Sequence, residues 1–164
     1  MAEGGYRELH ERREEFGSSE GGPHLPFLLA AVAASGARTL ADYGCGKGGA
    51  VARLTALGLD VRGYDPYVEL FSELPQSRFD LLYSFDVLEH IPLEAMDSAL
   101  AECVALSDTA LLIPHLGLAS TTLPNGENAH CTILKPTEWV DVVARHYRFV
   151  TAVPHVSNKH TILV

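Results

Sequence analysis

The rhythm of apolar and polar positions changes once along the chain, at about Arg38. Before it, Tyr6 to Phe16 is mostly charged, with Tyr6, Leu9 and Phe16 as sparse apolar points, which predicts a solvated helix that packs weakly. Residues 17–23, rich in glycine and serine and closed by Pro23, break that helix. His24 to Ser35 then reads as a second helix, ended by Gly36. Residues 1–36 are therefore assigned to an N-terminal helical cap and 37–164 to the main domain.

After Arg38, short apolar runs alternate with helical stretches. Thr39 to Tyr43, Ala50 to Leu57 and Asp60 to Tyr64 predict strand, helix, strand. Phe79 to Phe85 predicts a strand, Leu93 to Leu106 a helix, Thr109 to Pro114 a strand and Pro136 to His146 a helix. Arg148 to Val153 and His160 to Val164 are close enough to pair as an antiparallel hairpin at the sheet edge. Continuous apolar strands separated by helices point to an α/β fold, a mostly parallel sheet covered on both faces.

Composition narrows this little. A chain of 164 residues fits one domain, and 47% hydrophobic with 20% charged residues is an ordinary globular balance. No apolar run approaches the roughly 20 residues that span a bilayer, and the first residues carry no signal-peptide pattern, so a cytoplasmic protein without a membrane partner is expected. Cys45, Cys103 and Cys131 are odd in number and show no C-x-x-C spacing, which argues against disulfides or a zinc knuckle. A formal charge of -9 with scattered basic residues disfavours nucleic acid as a partner and favours a small-molecule substrate; the oligomeric state is left open.

The candidate chemistry starts at Gly44-Cys45-Gly46-Lys47-Gly48-Gly49, between the first strand and the following helix. Glycine lets the chain turn sharply and lets a ligand approach the backbone. The pattern matches a dinucleotide loop, with Asp65 at the end of the next strand as a ribose-binding acid. Asp42, two positions before Gly44, shifts the balance. Its carboxylate would repel a pyrophosphate but attract S-adenosylmethionine (SAM), which presents an ammonium and a sulfonium and no phosphate. A nicotinamide-dependent oxidoreductase is the reading that Asp42 disfavours.

Asp42-Tyr43-Gly44-Cys45-Gly46, Asp65 and Phe85-Asp86-Val87-Leu88-Glu89-His90-Ile91-Pro92 together resemble the class I SAM-dependent methyltransferase superfamily, from about Thr39 to the C-terminus. The resemblance implies a three-layer Rossmann-like sheet that binds SAM. It puts Asp42 near the methionine end, Gly44, Cys45 and Gly46 along the cofactor, Asp65 with Pro66 at the ribose, and Asp86 beside the cofactor. It further implies transfer of a methyl group to an oxygen or nitrogen of a small metabolite. The sequence departs from the family in one place: residues 66–78 are too few for the usual helix, third strand and adenine-contacting loop. A sheet shortened around strand three is expected, with Tyr67 or Phe71 packing the adenine. That contraction keeps open a non-catalytic SAM-binding or partner-binding domain.

Methyl transfer needs alignment and, for a hydroxyl or amine, a base. His130, in the polar stretch between the fifth family strand and the helix of Trp139, is the first candidate; His115 and His90 are the others. Asp86, Glu89 and His90 stand at i, i+3 and i+4, so a helical turn would gather them as a possible divalent-metal site. A structural role for this "LEH" segment is favoured, and no essential metal is expected. His155 and His160 are assigned to packing or surface positions.

Overall fold

The computed structural model describes residues 6–8, 17–157 and 159–163. A six-stranded sheet has the order β2-β1-β3-β4-β6-β5. Its parallel part is β1 (Thr39–Tyr43), β2 (Asp60–Tyr64), β3 (Leu81–Phe85) and β4 (Ala110–Ile113). The C-terminal hairpin of β5 (Ala152–Pro154) and β6 (Thr161–Leu163) runs antiparallel, with β6 against β4 and β5 at the edge. The expected C-terminal hairpin is present, although it seats only three residues per strand.

Helices cover both faces. Helices α1 (Leu25–Ser35) and α2 (Gly49–Ala56) pack with Leu40, Leu81, Tyr83, Leu111 and Ile113. Helices α3 (Leu93–Leu106) and α4 (Pro136–Val143) pack with Leu82, Leu112 and Leu163 on the other side. Neighbouring residues of β3 and β4 thus belong to opposite clusters, the period-two alternation of a strand buried on both faces. Each fully buried leucine contributes about 1.5–3 kcal/mol relative to exposure. Three layers result, as the sequence predicts.

The α1 helix ends where Gly36 takes a left-handed φ of 73° and donates its N–H to the Val32 carbonyl. Helix α4 stops at Val143, three residues short of the expected end; the chain turns through Ala144 to Tyr147 instead. Of the predicted first helix, residues 9–16 lie outside the described residues. Tyr6 corrects the expectation of weak packing, because it is 5% exposed, stacks on Tyr67 and hydrogen-bonds to the Ala129 carbonyl. No described helix is long and apolar enough to cross a membrane.

The third strand of the family sheet, expected to be shortened, is absent. Between β2 and β3 the only regular element is a 3-10 turn, Glu69–Phe71. Phe71 folds back under the glycine loop, so close that a Cβ on Gly48 would lie 2.5 Å from its ring, and its carbonyl accepts the Asp65 N–H at 2.9 Å. The remnant serves as a brace for the loop instead of a strand, and it leaves β2 at the sheet edge.

Candidate active site

At the carboxyl ends of β1 to β3 lies a cavity of about 560 Å³. The loop after β1 forms its floor. Gly44 and Cys45 donate their N–H groups to the Tyr64 carbonyl at 2.8 and 3.0 Å, which folds the loop onto β2. Gly44 has a φ of 82°, and a Cβ there would strike Val87 at 2.4 Å, so no other residue fits. Asp65 anchors the loop: its carboxylate accepts the Gly46 N–H at 3.0 Å and the Tyr67 N–H at 2.9 Å. Asp42, Gly44, Cys45 and Gly46 line this cavity, as do Asp65, Pro66 and Asp86. Tyr67 lines it too, whereas Phe71, the other residue expected at an adenine, belongs to the brace.

Asp42 is 4% exposed and accepts the Tyr83 hydroxyl at 2.9 Å. Burial pushes its carboxyl up to about 7; the Tyr83 bond works against that and the Asp65 charge adds to it. Burial also pushes the Cys45 thiol up, which leaves it an inert wall of the loop.

A wall of the cavity comes from a segment that the sequence reading treats as a breaker. Gly17, Ser19 and Gly21 line it, and the Gly17 carbonyl accepts the Lys47 N–H at 2.7 Å. A Cβ on Gly46 would lie 2.3 Å from the Gly17 oxygen, so the glycine admits a neighbouring backbone here, not only a ligand.

Leading outward from the cavity wall, six of the eight histidines form a continuous row. Ring centroids of His155 and His24 are 5.0 Å apart, and His24 to His160, His160 to His115, His115 to His130 and His130 to His90 are each 4.8 Å apart. His155 and His160, assigned to packing or surface positions, do pack in this row, and His160 also hydrogen-bonds to Asp86; His24, which no sequence motif marks, joins them. His90 lines the cavity. His130 donates Nδ1–H to the Gly117 carbonyl at 2.5 Å, and His115 accepts the Gly117 N–H on Nδ1 at 3.0 Å. Burial lowers His90 to about 4 and also lowers His130, so both rings are neutral at pH 7.

The triplet Asp86, Glu89 and His90 does not gather as helical spacing suggests. Asp86 takes a left-handed φ of 54° and precedes a 3-10 turn, Leu88–His90, that turns the later residues away from it. Its two oxygens accept His24 Nε2–H at 3.0 Å and His160 Nε2–H at 2.8 Å. Burial alone would raise Asp86; the bonds and charges of His24 and His160 outweigh it and hold the carboxyl below its usual range. Glu89 and His90 instead face His130, and one ligand atom from each lies within 4.8 Å of the others. A second such group is His24, Asp86 and His160.

These shifts fix how stability depends on pH. Asp42 and Glu89 have folded values of about 7 and about 8, far above the unfolded carboxyl range, so the folded state holds more protons and loses stability as they ionise. His90 and His130 are lowered, so they oppose this trend only below about pH 6.5, where an unfolded histidine titrates. The melting temperature of the ligand-free protein should therefore fall between pH 6.5 and 8.5. A flat or rising profile in scanning calorimetry over that range would contradict it.

No protein-family model matches the chain, and no curated protein matches its sequence. Solved structures do match its shape. The methyltransferase domain of a bacterial Hen1 aligns with a TM-score of 0.63 at 15% identity, covering 88% of this chain and 98% of that one. A 1,6-didemethyltoxoflavin-N1-methyltransferase from Burkholderia thailandensis, crystallised with S-adenosylhomocysteine, also scores 0.63 at 15% identity, over 99% of this chain and 84% of that one. A chain of the Pnkp1/Rnl/Hen1 RNA repair complex scores 0.59 at 15% identity, over 88% of this chain and 41% of that one. The fold of this protein is the class I methyltransferase fold. Within it, the sheet lacks its third strand and the carboxyl ends of β1 and β2 carry a glycine loop flanked by two buried aspartates.

Proposed function

We propose that this protein binds SAM in the cavity and transfers its methyl group to an oxygen or nitrogen of a small metabolite. One observation carries the reading: Asp42 and Asp65, 4% and 6% exposed, flank a glycine loop open to the cavity. Two buried carboxylates repel a dinucleotide's pyrophosphate and suit a cationic ligand with a ribose. Asp42 would face the ammonium, and the oxygens of Asp65, which already hold Gly46 and Tyr67, would accept the ribose hydroxyls.

In the transfer, the bond from methyl carbon to sulfur breaks with its electron pair going to sulfur, and the acceptor's lone pair forms the new bond to carbon. The acceptor's proton goes to His130 Nε2. That nitrogen bears the lone pair because Nδ1–H is held by the Gly117 carbonyl, and the lowered pKa keeps it unprotonated at neutral pH. His90 and His115 adjoin His130 and complete the acceptor side. The formal charge of -9 favours a small metabolite over a nucleic acid.

S-adenosylhomocysteine at about 100 times its Kd should stabilise the fold by about 2.7 kcal/mol, and NAD should leave the melting temperature unchanged. The reverse would return the loop to the dinucleotide reading. Binding without methyl transfer to any acceptor in a metabolite panel would favour the non-catalytic domain.

A further inference from the structure

Two three-residue groups in the histidine row have the spacing of metal ligands, and hydrogen-bond direction separates them. In the first, His155 Nδ1 accepts the Ser157 N–H at 3.0 Å, so the neutral ring carries its proton on Nε2 and donates it to His24 Nδ1 at 3.2 Å. His24 then carries its own proton on Nε2 and donates to Asp86, as does His160. Every ring nitrogen that faces Asp86 is a donor. The group is a closed hydrogen-bonded chain in which neither ring turns a lone pair toward Asp86.

The second group is the reverse. His90 donates Nδ1–H to the Ala129 carbonyl at 2.9 Å and His130 donates Nδ1–H to the Gly117 carbonyl, so Nε2 of each ring is a lone pair. Backbone carbonyls that fix the far nitrogen in this way are the usual supports of metal-binding histidines. Between the rings sits Glu89, 0% exposed, and its two buried carboxyl oxygens have no hydrogen-bond partner among the described residues. The N–H groups of Glu89 and His115 come near enough to favour the anion, but neither closes a hydrogen bond. Protonation does not satisfy the group either, because its nearest basic partner, His130 Nε2, is 3.8 Å from Oε1. A buried carboxyl that faces two ring lone pairs and closes no hydrogen bond is left unsatisfied unless a cation stands among them.

We propose that Glu89, His90 and His130 bind one divalent first-row transition cation. Two imidazoles and one carboxylate favour manganese, iron, cobalt or zinc over magnesium or calcium. Three protein ligands leave coordination positions free, and His90 opens onto the cavity. The ligand expected there is an oxygen of the methyl acceptor, which makes a hydroxyl compound the acceptor class; with a cation bound, His130 Nε2 is a ligand in place of a proton acceptor, and the hydroxyl's proton passes to water. That last step rests on the methyltransferase reading; the cation site does not.

The test is calorimetry with cobalt(II) on EDTA-stripped protein, together with the cobalt absorption spectrum. One equivalent should bind, and Glu89→Gln or His130→Ala should weaken binding by about 10²-fold or more. His160→Ala, in the closed group, should bind as tightly as wild type. Metal-free Glu89→Gln should melt no lower than wild type, since it replaces one buried polar group without a hydrogen bond by another of the same size, and should lose the cobalt-induced rise. It should keep the S-adenosylhomocysteine shift. Failure of that shift in wild type would count against the cofactor reading and leave the cation site standing. Absence of saturable cobalt binding, or binding that survives Glu89→Gln and disappears in His160→Ala, would overturn the assignment.

Discussion

His130→Ala should lower methyl transfer by about 10²–10⁴ and leave the affinity for S-adenosylhomocysteine nearly unchanged. The reason is positional. The ring lies one imidazole beyond the cavity-lining His90, away from Asp42, Asp65 and the glycine loop, and its accepting nitrogen is set by the Gly117 carbonyl. A merely structural histidine would lower the melting temperature and change turnover little. Single-turnover methylation, melting temperature and cofactor affinity measured on the same variant separate the two. A loss of turnover is common to a base and to a metal ligand; restoration of EDTA-treated wild type by added metal, but not of the variant, assigns it to the ligand role. Turnover within a few-fold of wild type would move the search to His115 or His90.

Asp65→Ala is expected to weaken S-adenosylhomocysteine binding by about 10²–10⁴-fold, because two charge-assisted hydrogen bonds of about 1.5–3 kcal/mol each would be lost. The same carboxylate also holds the Gly46 and Tyr67 N–H groups, so the variant should melt lower as well. A double-mutant cycle removes that ambiguity. Wild type should discriminate strongly against an analogue lacking both ribose hydroxyls, and Asp65→Ala should bind the two ligands alike. Calorimetry showing full discrimination in the variant would assign the ribose to another residue.

Most of the layered fold was legible because parallel strands buried on both faces leave unbroken apolar runs, such as Leu81-Leu82-Tyr83, and helices leave periodic ones. The absent third strand was legible too, as a shortage of residues between Asp65 and Phe79. What escaped was carried by pairs far apart in the chain. His24 and Asp86 are 62 positions apart, His160 and Asp86 are 74, and Tyr6 and Ala129 are 123, and no local pattern encodes such meetings. Tyr6 misled because a charged segment with few apolar points looks solvated, although one aromatic side chain suffices to anchor it. The Asp86, Glu89 and His90 triplet misled through its spacing. The i, i+3, i+4 rule holds for an α-helix, whereas the chain here takes a left-handed residue and then a tighter turn.

The shortened sheet has a consequence for how this protein behaves in a crowded solution. Without the family's third strand, β2 is an outermost strand of the sheet, and an edge strand is a template on which another chain can lay itself down. The residues of β2 counter that hazard. It is five residues long, Asp60 and Arg62 stand exposed on it with opposite charges 3.7 Å apart, and only Val61 between them is buried. A charged, short rim is poor seed material for fibrils, so β2 can stand at the sheet edge without inviting another chain.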